Sequence, residues 1–296
     1  MRTYEIKKTK NFKHLIGTKP LKEHYVDLIK EPTKFIFQGK VVAIYDKVDE
    51  KTAKKAKKIS LTTKPNKSKR QFTGVPTISS VFGSIPKNGV RTPSCRGTLR
   101  NKEEKSNFLL ITDVAETLSE NYKRLLPNQY EKDRKNVFSS IETDYLFKGM
   151  PFTTYNANKN QIIKYHVDKG NLKGVMSNVL ISRQGVSGGE LIFPEYGFAL
   201  AQEDGFYSIF DGQKEIHGVA DCKFVSPDSY RCSFVFYTLE QMKHCKPYLV
   251  EMEQEKKHFT EKNKNRSKTF GMSKSDFLRG KYKDIWTKPH NIKKQF

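Results

Sequence analysis

Apolar positions along the chain fall into two regimes. Phe108, Ile111, Ala115, Leu118, Tyr122 and Leu125 recur at helical spacing, with Ser106 as the candidate N-cap. Pro127 ends that helix and opens a second one through Tyr130, Arg134 and Val137. From Thr153 the period shortens. Strand-like runs cover 161–167, 177–183, 190–193, 205–210 and 231–239, parted by turn signals such as Lys169-Gly170-Asn171, Gly185, Gly188-Gly189 and Ser226-Pro227-Asp228. Upstream, 35–37 and 41–44 read as two strands around Gln38-Gly39-Lys40. The segment 71–97, rich in Gly, Pro and Ser, reads as irregular. Many short strands after a helical part predict an α+β protein with a sandwich or jelly-roll core.

Charge divides the same chain differently. The net charge is +23. Residues 151–250 carry 10 basic and 10 acidic residues, 1–150 carry 32 and 16, and 251–296 carry 13 and 6. A neutral middle between cationic flanks suits a polyanion held by the flanks. On this basis 1–70 is read as a basic segment, mobile from Lys51 to Arg70 with some helix at 54–58. Residues 71–250 form the catalytic domain, and 251–296 a basic tail that can fold as a helix. No run approaches 18 apolar residues, so no membrane span is expected. The N-terminus lacks the apolar run of a secretory signal. Cys95, Cys222, Cys232 and Cys245 show no C-x-x-C spacing, so reduced thiols in an intracellular protein are expected, in cytoplasm, nucleoid or nucleus according to source. The chain is taken as a monomer.

The candidate chemistry centres on Tyr165-His166-Val167-Asp168. His166 and Asp168 share a face if the segment is extended. His217 adds a third donor. Two His and one carboxylate make a facial triad suited to non-heme Fe(II). One H-x-D pair recurs by chance, and it gains weight from Arg231 and Ser233, which share a face of the strand-like 230–237. An Arg there can hold a carboxylate bidentately, with the Ser hydroxyl assisting.

Tyr165–Asn171, Gly188-Gly189-Glu190-Leu191, Phe210-Asp211-Gly212-Gln213, His217-Gly218-Val219 and Tyr230-Arg231-Cys232-Ser233 resemble the TET/JBP-like Fe(II)/2-oxoglutarate dioxygenases, phage-type members above all. Pro93-Ser94-Cys95-Arg96 with two following helices extends the likeness to roughly 71–250. The resemblance implies a double-stranded β-helix core with supporting N-terminal helices. It implies Fe(II), 2-oxoglutarate and O2, with the metal on His166, Asp168 and His217 and the co-substrate on Arg231 and Ser233. It implies DNA as partner and oxidation of the C5-methyl of 5-methylcytosine or thymine. Such a methyl lies inside the duplex groove, so the base must be flipped or single-stranded. Asn156 and Asn158 are candidates for reading a base edge, against a plain turn in Asn-Ala-Asn-Lys-Asn. Arg96 is a candidate for phosphate or co-substrate. The rivals are another nucleic-acid demethylase or hydroxylase of the same chemistry, and a non-catalytic DNA-binding protein on an oxygenase fold. A repair demethylase is expected to carry R-x-N-x-T-x-R, which Arg231-Cys232-Ser233-Phe234-Val235 does not fit.

Overall fold

Strands dominate the molecule. The computed structural model describes residues 1–8, 12–64, 66–69, 76–88 and 93–270, with the backbone alone at 66–69, 76–77 and 262–270. The N-terminal part supplies β1 (Arg2–Glu5), β2 (Asp27–Ile29), β3 (Thr33–Phe37), β4 (Lys40–Lys47), α1 (Glu50–Thr62), β5 (Asn66–Lys69), β6 (Pro76–Ile85) and β7 (Arg96–Gly97). Then come α2 (Arg100–Glu103), α3 (Lys105–Leu125) and α4 (Pro127–Ser140). The remainder is β8 (Thr154–Lys159), β9 (Ile163–His166), β10 (Ser177–Gln184), β11 (Val186–Gly188), β12 (Leu191–Phe193), β13 (Phe198–Leu200), β14 (Phe206–Phe210), β15 (His217–Val219), β16 (Cys222–Phe224), β17 (Tyr230–Tyr237) and α5 (Tyr248–Phe270).

A ten-stranded sheet runs β1-β3-β4-β14-β10-β17-β8-β6-β5, with β7 paired to β6. A five-stranded sheet runs β2-β13-β12-β15-β9, and β11-β16 form a separate ribbon. Alternation along β17 sorts the interior into two layers. Cys232, Phe234 and Phe236 point to one side, into a core shared with Ile59 of α1 and Ile111, Leu118 and Tyr122 of α3. Val235 points to the other, with Val179, Ile181 and Phe210 of the large sheet and Leu191, Phe193 and Leu200 of the small one. The small sheet therefore faces the large sheet across an apolar interior, and helices cover the large sheet's opposite face. This is a mixed α+β architecture.

Several expectations change. Residues 1–70 do not stand apart, because β3 and β4 join the large sheet through β14. The basic stretch from Lys51 opens as a packed helix, not a mobile linker. Asp49 caps it through Thr52 N at 2.9 Å, and Thr52, Ala56 and Ile59 are buried while the lysines face outward. Charge marked the solvated side, and four buried positions, only Ala56 and Ile59 of them apolar, were too sparse to betray the other. Within the segment expected to be irregular, β6 is a ten-residue strand lying between β5 and β8. Asn-Ala-Asn-Lys-Asn is not a turn up to Lys159, since β8 is hydrogen-bonded on both edges, to β17 and β6. Ser106 is not an N-cap. α3 begins at Lys105 with no side-chain cap, directly after α2, and the Glu104 carboxylate between them binds Arg100 and Asn107. Cys95 and Cys245 form a disulfide across 150 residues of sequence, which spacing rules do not reach, and Cys222 and Cys232 are free. Arg91 and the tail beyond Phe270, with Phe277, Tyr282 and Trp286, lie outside the described residues. No described helix is long and apolar enough to cross a membrane.

Phe234 has no exposed surface and sits under the helices. Phe234→Ala is expected to lower the unfolding free energy by about 3–5 kcal/mol, read as a shifted denaturant midpoint. Val225→Ala, at a position 81% exposed, should shift it by less than about 0.5 kcal/mol.

Candidate metal centre and carboxylate clamp

His166 ends β9 and His217 opens β15, and the two residues are directly paired across the small sheet. Their rings lie 4.4 Å apart. Each ring is oriented by the same local device. His166 Nδ1 is 2.8 Å from the Lys164 carbonyl and His217 Nδ1 is 2.9 Å from the Glu215 carbonyl, each two residues upstream. A carbonyl only accepts, so Nδ1 carries the proton and Nε2 keeps its lone pair. Both Nε2 atoms turn toward Asp168, at 3.4 Å from Oδ1 for His166 and 3.9 Å from Oδ2 for His217. Donors about 2.0–2.2 Å from one metal at right angles stand about 3 Å from each other. One donor atom from each of the three residues falls within 4.8 Å of the others, so the group can hold a metal ion. Burial, with the neighbouring His166, pushes His217 down to about 4, which keeps it an unprotonated ligand at neutral pH.

Asp168 lies just past β9 and is seated by the turn after β14. Its N–H donates to the Gly212 carbonyl at 2.7 Å. A Cβ on Gly212 would stand 2.5 Å from Asp168 Oδ2. Gly212 is thus an absent side chain that leaves room for the carboxylate. The turn is tied by Asp211 Oδ1, which accepts from Gln213 N and Lys214 N. Phe210, from the large sheet, packs on the His217 ring at 4.9 Å.

Arg231 is buried, 2% exposed, on the face of β17 that looks into the inter-sheet interior with Ser233 and Val235. No carboxylate lies within ion-pair distance of it among the described residues, and its Nε has no hydrogen-bond partner. Arg183 is directly across from it on β10. Arg183 is solvated by carbonyls of Val186, Gly188, Ala201 and Gln202. That network shapes the turn at Gly188-Gly189, where a Cβ on Gly189 would lie 2.9 Å from Arg231 Nε and 2.8 Å from Cys222 Sγ. Asn160 pins the backbone of Arg231. Its Oδ1 accepts from Arg231 N at 2.9 Å and its N–H donates to Arg231 O at 2.7 Å. Asn160 does so at φ +51°, a left-handed conformation that Asn tolerates.

Asn158 sits directly opposite Ser233, and Asn156 opposite Val235, so both amides share the face of Arg231. Their Oδ1 atoms and Ser208 Oγ are buried without partners. A buried polar atom left unpaired costs about 1–3 kcal/mol, and a bound polar ligand removes that cost. A buried guanidinium with an unpaired Nε and no carboxylate at ion-pair distance among the described residues, beside orphaned amides, fits an anionic, multiply hydrogen-bonding co-substrate. Arg96 is ion-paired through Nη1 with Glu255 at 2.6 Å, and its buried Nε has no hydrogen-bond partner. Asn160, Gly189 and Gly212 escaped the sequence reading. Gly189 and Gly212 lay inside quoted motifs, but only the fold reveals what their missing side chains admit.

The Tet_JBP family, the oxygenase domain of the 2OGFeDO superfamily, matches residues 84–240. The chain belongs to this family. It is a 2-oxoglutarate-dependent dioxygenase that works with Fe(II), 2-oxoglutarate and O2. Among solved structures, NgTET1 in complex with 5mC DNA aligns over 80% of this chain and 88% of its own, with a TM-score of 0.56 at 14% identity, a likeness of fold. An oxidoreductase of the 2OG-Fe(II) oxygenase family from Burkholderia pseudomallei aligns over 66% and 84% at 11% identity, with a TM-score of 0.41. No curated protein matches the sequence.

Gly212→Ala should push the Asp168 carboxylate aside. Disturbing the support of a ligand typically costs 10–100-fold in metal affinity. We expect Fe(II) affinity to fall within that range while the unfolding midpoint of the metal-free protein moves little, as read by metal titration and denaturation side by side. Metal affinity equal to wild type would contradict the seating described for Asp168.

Proposed function

We propose that this dioxygenase oxidises the C5-methyl group of a pyrimidine, 5-methylcytosine or thymine, in DNA. His166, Asp168 and His217 are the iron ligands, and Arg231 with Ser233 binds 2-oxoglutarate. The two facing sheets are read as the double-stranded β-helix of such enzymes. The observation that carries the reading is the pairing of a three-donor cluster with a buried Arg231, whose Nε is unpaired, in a chain of this family. Two facts favour DNA. NgTET1 was solved with 5mC DNA, and this chain has a net charge of +23 concentrated outside the neutral segment 151–250.

Bound iron and 2-oxoglutarate supply the oxidising power that an unactivated methyl group requires. The residues of this chain supply position. The His217 and His166 imidazoles, held by the Glu215 and Lys164 carbonyls, present fixed lone pairs. Arg231 offers a planar fork to the far carboxylate of the co-substrate, and the Ser233 hydroxyl adds a hydrogen bond. Asn158, opposite Ser233, and Asn156 offer amides to the ligands of this interior. Phe210, Phe193 and Val179 keep it apolar and exclude water from the reacting centre. The target base reaches it by flipping out of the duplex, at a cost of a few kcal/mol, or from a single strand.

The test is incubation with Fe(II), 2-oxoglutarate, O2 and DNA carrying 5-methylcytosine and thymine, followed by mass spectrometry of the nucleosides. A pyrimidine nucleoside heavier by one oxygen is expected, and Asp168→Ala should abolish both it and succinate release. Succinate release with every DNA nucleoside left unmodified would overturn the substrate while leaving the enzyme class intact.

A further inference from the structure

The helix α5 is fastened at its base and exposed over the residues that follow, 256–261. Cys245, three residues before the helix, is disulfide-bonded to Cys95. Glu251, in its first turn, is completely buried and accepts hydrogen bonds from Cys95 N at 3.1 Å and Lys246 N at 3.0 Å. One turn further on, Glu255 pairs with Arg96 at 2.6 Å. There the contact ends. Every residue from Lys256 to Glu261 is exposed. A helix lying on a protein surface alternates buried and exposed positions, so burial that stops on all sides means that the helix leaves the body. It continues to Phe270, a projection of about 22 Å at 1.5 Å per residue.

The projecting part is cationic. Residues 256–270 hold six basic residues and one acidic. Lys262 with Arg266 and Lys264 with Lys268 are like charges four apart, which destabilises an isolated helix. The body buries none of residues 256–261. A polyanion would relieve the repulsion, and release of its condensed counterions would drive the association.

We propose that residues 256–270 of α5 form an arm that binds the phosphate backbone of duplex DNA, and that Glu251 and the Arg96–Glu255 pair latch it to the catalytic body. The proposal rests on DNA being the substrate. The arm contributes affinity without base specificity, because phosphate contacts position a protein and carry no sequence information. The latch turns a tethered charge into a fixed one, so that the arm and the inter-sheet site engage one duplex together.

The experiment compares the full-length protein with a variant carrying Lys256→Gln, Lys257→Gln, Lys262→Gln and Lys264→Gln, and with Glu251→Gln. Binding to a labelled duplex is measured by fluorescence anisotropy from 50 to 200 mM salt, and DNA-free succinate release serves as the check on the site. Each phosphate contact contributes about −0.9 to the slope of log K against log salt. Four lost contacts should therefore shrink the salt-induced weakening over that range by about a hundredfold. They should weaken methylated and unmethylated duplexes alike and leave DNA-free succinate release unchanged. Glu251→Gln should keep the salt slope and lower the affinity several-fold. Wild-type affinity and slope in the quadruple variant would overturn the arm, and unchanged affinity in Glu251→Gln would overturn the latch. A wild-type protein that binds no duplex at all would instead remove the DNA reading on which both rest.

Discussion

A guanidinium buried with no counter-charge among the described residues is the constraint around which this molecule is built. Removing an ion from water costs several kcal/mol even after relaxation, and the usual compensation is a carboxylate. Arg231 is 2% exposed and has none among the described residues. What the fold provides is rigidity. β17 is an interior strand of the large sheet, so the backbone of Arg231 cannot drift, and Asn160 ties it from both N–H and carbonyl. Arg183, its cross-strand neighbour, spends its own charge on four carbonyls and in doing so shapes the Gly188-Gly189 turn against the Arg231 side chain. On the proposed reading, the far carboxylate of the dicarboxylate co-substrate is the counter-charge of Arg231.

The candidate metal site follows the same logic of support by backbone. Each histidine takes its tautomer from a carbonyl two residues upstream, and each is fixed in direction by strand pairing between β9 and β15. The carboxylate depends on a turn from the other sheet, through the Gly212 carbonyl and the space that Gly212 leaves. The two sheets thus meet at the donors themselves. Displacement of the turn after β14 would move Asp168 away from two histidines that stay where they are.

The donor set was legible in the sequence because its chemistry is tied to short spacing and strand ends. His166, Asp168, His217 and Arg231 were readable as residue types in order, and the structure brings the first three together. The strands after residue 153 were legible from their period, and so were α3 and α4 from theirs. Charge misled in the N-terminal part, where lysines on the outer face of α1 hid Ala56 and Ile59, and composition misled at β6, whose glycine and serines belong to a paired strand. Contacts made at long range left no local trace. The Cys95–Cys245 disulfide and the burial of Glu251 against residue 95 depend on where α5 is fastened. Gly189 and Gly212 matter for what they omit, and an omission can be read only when its neighbours are known.

The most direct test of the central claim is the equilibrium binding of 2-oxoglutarate to the Fe(II)-loaded protein without oxygen, by calorimetry, in wild type, Arg231→Ala and Arg231→Lys. Leaving a buried ionic partner unpaired costs about 3–5 kcal/mol, which is about two to four powers of ten in affinity. Arg231→Ala should therefore lose 2-oxoglutarate binding by at least a hundredfold while keeping its affinity for Fe(II). Arg231→Lys should recover only part of the loss, because an ammonium cannot reproduce the bidentate fork. Wild-type affinity for 2-oxoglutarate in Arg231→Ala, with Fe(II) still bound, would contradict the account.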